Sequence, residues 1–105
     1  CVLHASTIRL FPKSPPFDAG ARTAEALGID VNGKDALAIS LAIADGLEAL
    51  YAEVGMPIRL RELPIKKTDL IAVAVETVKN FNASANLSSP EERVANSLAI
   101  LESAW

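Results

Sequence analysis

The sequence predicts an all-α protein, a small bundle of four to five helices. Apolar residues recur every third or fourth position through the longer segments. Residues that start and stop helices bracket those segments, with Asp, Ser or Pro ahead and Gly behind. The 105 residues are enough for one domain with a real but small core.

Residues 1–16 read as an N-terminal arm and Pro-rich linker. In CVLHASTIRLF the apolar positions Val2, Leu3, Ile8, Leu10 and Phe11 fit neither strand nor helix spacing. PKSPP places three prolines in five residues, which forbids a continuing helix and favours extended backbone. A helical domain over 17–105 follows. In FDAGARTAEALGID, Asp18 is a candidate N-cap for a short helix to Leu27, with Ala21, Ala24 and Leu27 on one face. Gly28 stands at its stop, where a left-handed residue is needed.

VNGKDALAISLAIADGLEALYAEVGMP is the strongest element. Leu37, Leu41, Ala44, Leu47, Tyr51 and Val54, at spacings of 4, 3, 3, 4 and 3, trace one stripe, and Ile39, Ile43 and Leu50 add a second row. Asp35 caps the start, Gly55 closes the end and Pro57 follows. In TDLIAVAVETVKNFN the series Leu70, Ala74, Val78, Phe81 predicts a helix, its face broadened by Ile71 and Val75. The β-branched run Val73, Val75, Thr77, Val78 makes a strand the competing assignment. The last helix opens on SPEE, with Ser89 as N-cap, Pro90 in the first helical position and Glu92 completing a capping box. Val94, Leu98, Leu101 and Trp105 follow at 4, 3 and 4.

A net charge of −3 and a pI near 5.0 argue against a nucleic-acid partner. No run of 18 apolar residues is present, and nothing resembles a signal peptide, so no membrane partner is expected. The single Cys1 forms no internal disulfide, which fits a reducing compartment, and a cytoplasmic location is expected. A mean hydropathy of +0.27 is high for a small domain. Either apolar area faces a partner, as in a homo-oligomer, or alanine inflates the value. The chain opens on Cys, not Met, so either its start has been trimmed or it is cut from something longer.

Catalytic chemistry has little to build on. His4 is the only histidine and Cys1 the only cysteine, so no transition-metal site is expected from this chain. The serines lack a second histidine for nucleophile activation, and Ser89 is taken by its cap. Asp45, Glu48, Glu53 and Glu76 read as a solvated face. Arg59, Arg61, Lys66 and Lys67 surround the joint IRLRELPIKK, either to grip a phosphate or acidic partner or to offset a helix dipole. In FNASANLSS, Asn82 and Asn86 either hydrogen-bond a substrate hydroxyl or terminate a helix.

The order of pieces resembles the C-terminal end of the iron-containing alcohol dehydrogenases. AEALGID, then the long helix ending in GMP, then LREL, IKKTDL, a helix leading to FNASAN, and SPEE opening a helix that ends in ESAW match over roughly residues 21–105. The departures are Pro64, where the family often has Gly or Asn, and Leu87 in place of the proline of a common Asn-Pro pair. The resemblance implies an all-helical domain that in the intact enzyme follows a nucleotide-binding domain, with NAD(P) and iron or another divalent metal between them. The family's metal ligands, an aspartate and three histidines, would precede Cys1. His4 would fall at a non-ligand position, and Asn82 and Asn86 would lie toward the substrate pocket. The expectation is therefore a fragment that binds no cofactor alone, has no catalytic residue of its own, and works as part of a dehydrogenase or homo-oligomer.

Overall fold

The computed structural model describes residues 2–12, 17–80 and 89–105, with the side chains of 17–19 excepted. Among the described residues every regular element is helical. They are α1 His4–Leu10, α2 Phe17–Ala26, α3 Ala36–Glu53, two short 3₁₀ turns at Leu60–Glu62 and Lys67–Asp69, α4 Leu70–Thr77 and α5 Pro90–Ser103. The chain divides into two compact units, Cys1–Ile58 and Arg59–Trp105, so the dividing point falls in the joint after the long helix.

In the first unit α1 and α2 both pack on α3. Within the described part of the expected arm, His4–Leu10 is thus helix. Seven residues are too few to display a helical period, and a helix that short is marginal without partners. Here α3 supplies them. The start of α2 at Phe17 puts Asp18 inside the first turn, not at the N-cap. Both later ends of this unit close by the same device. Ile29 N–H reaches Ala24 O (2.8 Å) and Gly28 N–H reaches Glu25 O (2.9 Å), and Met56 and Gly55 repeat the pattern on Tyr51 and Ala52. These are Schellman closures, which need the left-handed backbone seen at Gly28 (φ 70) and Gly55 (φ 72). At its other end α3 is capped as its sequence predicts, Asp35 Oδ1 accepting from Ala38 N–H at 2.8 Å.

The buried face of α3 keeps Ala44 and Leu47 of the predicted stripe and Ile43 of its second row, but not the rest of the stripe. It is centred on Ser40, Ile43, Ala44 and Leu47, while Leu37 (52% exposed), Leu41, Leu50 and Val54 (62%) remain exposed. A helix apolar on most of its circumference gives periodicity several stripes to choose from, and the positions of α1 and α2 decide among them. Ala24, Ile43 and Leu47 form the core, flanked by Ile8, Leu27, Ile29, Val31, Ile39 and Tyr51. Gly46 lets Ile29 lie against α3, since a Cβ there would sit 3.2 Å from the Ile29 Cδ1.

In the second unit α4 packs on α5. Leu60, Leu70, Ala74, Leu101 and Ala104 are its buried apolar residues. The helix, not the competing strand, is the state of 70–77, with Leu70 and Ala74 one turn apart on the buried side. Ile71 (50% exposed) and Val75 do not broaden that face. Each 3₁₀ turn is held by an acidic side chain: Glu62 accepts from Arg59 N–H (2.8 Å) and Asp69 from Lys66 N–H (3.3 Å). Leu60 N–H donates to the carbonyl of Ala104 (2.8 Å), which ties the first turn to the end of α5. The predicted capping box is present, with Glu92 N–H on Ser89 Oγ (3.2 Å) and Ser89 N–H on Glu92 Oε2 (3.1 Å).

Candidate functional site

The described polar chemistry concentrates where α1 meets α3. His4 Nδ1 and the Tyr51 hydroxyl lie 2.9 Å apart. One turn further along α1, Arg9 forks onto two α3 carboxylates, Asp45 (2.7 Å) and Glu48. Residues 45 and 48 are three apart on a helix, so their carboxylates project from one side and receive the two arms of a single guanidinium. The fork raises the Arg9 pKa above its ordinary value, first through the hydrogen bond to Asp45 and then through that to Glu48, against a smaller opposing effect of burial. Ser40, buried in α3, donates to the carbonyl of Pro12 at 2.9 Å and so fastens the segment leaving α1.

Between these contacts α1 and α2 diverge over α3 and leave a cleft of about 180 Å³. His4 and Ile8 of α1 form one wall, Gly20 and Thr23 of α2 the other, and Ser40, Ile43 and Leu47 of α3 the floor. Among the described residues the lining holds no carboxylate, ammonium or guanidinium.

The structure separates the residues singled out from sequence. Asn82 and Asn86, the expected pocket residues, lie outside the described residues, as does Cys1. Of the carboxylates read as a solvated face, Glu53, Glu76 and Asp45 are exposed, Glu76 pairing with Lys79 and Asp45 with Arg9, while Glu48, also on Arg9, is only partly exposed. Arg61, Lys66 and Lys67 are exposed around the joint. Among the described residues no three His, Cys, Asp or Glu side chains gather into a set that could hold a metal ion, and no helix is long and apolar enough to cross a membrane. The Arg9 fork and the His4–Tyr51 pair were beyond sequence reasoning, because each depends on α1 being a helix laid along α3.

Comparison with protein-family models, curated proteins and solved structures finds no match to this chain.

Proposed function

We propose that this chain is the C-terminal helical-domain fragment of an iron-containing alcohol dehydrogenase, a piece that gives the cytoplasmic parent enzyme rigidity and pocket wall and is inactive alone. Serial order carries the reading. A long helix closed by Gly55 and Pro57 is followed by a 3₁₀ turn at LRE, a second at KTD, a short helix and a Ser-capped terminal helix. Those are the pieces, in that order, by which the sequence resembles the family. The parent chemistry is NAD(P)-dependent interconversion of alcohol and aldehyde. On this reading the metal ligands and reacting groups would belong to other segments of the parent enzyme, and Asn82 and Asn86 are the residues proposed to border the substrate.

Two measurements test this. The pure chain, given an alcohol, ferrous iron and NAD⁺ or NADP⁺, is expected to produce no reduced nicotinamide above the blank; sustained reduction would overturn the proposal. Same-frame coding sequence upstream of Cys1 is expected to carry a glycine-rich loop and a His-x-x-x-His cluster, whereas a start codon directly before Cys1 would sink it.

A second reading, a self-standing helical interaction or dimerisation module, is favoured by the exposed apolar side chains Leu37, Leu41 and Leu50 of α3 and Val54 at its C-cap. A fragment with an uncovered face would show the same behaviour, so the upstream sequence is what separates the two.

A further inference from the structure

We infer that the cleft over α3 is a binding site for a small uncharged molecule with an apolar, ring-sized body and one hydrogen-bonding head. The inference stands on the first unit alone and holds whichever functional reading is right. Size comes first: the cleft measures about 180 Å³, and an apolar cavity of about 150 Å³ is known to accept benzene. Charge comes second. With no carboxylate or basic side chain among the described lining residues, a charged ligand would lose its hydration to them without a counter-ion, which is costly.

Shape and polarity complete the case. Gly20 sits inside α2, where glycine is a poor helix former, and a Cβ added there would meet nothing within 4 Å. The wall is therefore open at Gly20, not closed by tight packing. Ile8, Ile43 and Leu47 give the body an apolar bed. At the rim His4 has its Nδ1 edge engaged by the Tyr51 hydroxyl, which leaves Nε2 as the ring nitrogen for a ligand hydroxyl or carbonyl. Ser40 has spent its proton on Pro12, so its oxygen offers lone pairs only.

The probe is cyclohexanol, titrated into the full chain while methyl resonances are followed by NMR. Saturable shifts centred on Ile8, Ile43 and Leu47 are expected. Their absence, or a linear drift spread over the exposed methyls of the chain, would overturn the inference without any variant. Gly20→Leu, which fills the opening, is expected to abolish the saturable shifts while circular dichroism is unchanged; saturation persisting in a folded Gly20→Leu chain would also overturn it. His4→Phe is expected to weaken cyclohexanol roughly fivefold, the worth of one neutral hydrogen bond, and to leave methylcyclohexane unaffected. An equal loss for both probes would refute the role of His4 as the polar contact.

Discussion

Arg9 shows how burial decides which of two apparently equivalent contacts matters. Its arms bind Asp45 and Glu48, but the Asp45 side chain is 74% exposed and that of Glu48 only 20%. Water screens the first pair and competes less for the second, so the two will not be energetically equal although the Asp45 bond contributes first to the raised Arg9 pKa. A double-mutant cycle in urea should give a coupling of about 1 kcal/mol for Arg9 with Glu48→Gln and close to none for Arg9 with Asp45→Asn. The sign of the pH dependence follows from the raised folded-state pKa. The Arg9 contribution is fully present below the ordinary guanidinium pKa and is lost only in strong alkali, as pH rises through the raised value, so it should be flat across neutral pH. Two glycines make a complementary residue-scale pair. Gly20→Ala adds a methyl into open space within a helix and should raise stability by about 1 kcal/mol. Gly55→Ala forces an L side chain into φ 72 and should lower it by about 1 kcal/mol. Thermal melts of the two variants check both signs.

At the scale of elements, the ends of helices were more legible than their faces. The cap of α5 is local chemistry, decided by Ser89, Pro90 and Glu92 within four positions, and it forms as its sequence implies. Ser89→Ala should therefore cost about 1 kcal/mol, read as a lower urea midpoint with an unchanged slope. Gly28 and Gly55 were equally legible because their role is a backbone conformation that few other residues accept. What local patterns do not encode is which side of an apolar helix meets a neighbour. On α3 the buried face takes in Ser40, a polar residue that period counting passes over, and its burial is compensated by the carbonyl of Pro12. For α1 the periodic signal is missing altogether, and its helical state rests on contacts 36 to 47 residues away in sequence: His4 to Tyr51, Arg9 to Asp45 and Glu48. The cleft was invisible for the same reason, since Gly20, Thr23 and Ser40 converge only once three helices are placed. The joint behaved as an intermediate case. Its prolines marked an interruption, while the two 3₁₀ turns became apparent only through the carboxylates of Glu62 and Asp69 that hold them.

For the molecule as a whole, the decisive quantity is apolar surface left facing solvent. Leu37, Leu41, Leu50 and Val54 in the first unit and Ile71, Val73 and Val75 in the second are each at least 40% exposed. Scattered exposed leucines carry no message, but Leu37 and Leu41 lie one turn apart and therefore form a continuous patch on α3. Glu48 lies two turns beyond Leu41 along the same flank and is paired with Arg9. Both readings of function lead to the same expectation, because a fragment lacking its parent and a dimerisation module both have an apolar face to cover. Light scattering should find the isolated chain self-associating at about 100 μM, within the range where modest interfaces bind. Leu37→Gln with Leu41→Gln should return it to monomer while leaving the helical circular dichroism intact, since neither side chain belongs to the core. Association unchanged in that double variant would remove the α3 patch from consideration and leave the Ile71–Val75 side of α4 as the face to test next, and a monomer in the unaltered chain would dispose of the dimerisation reading.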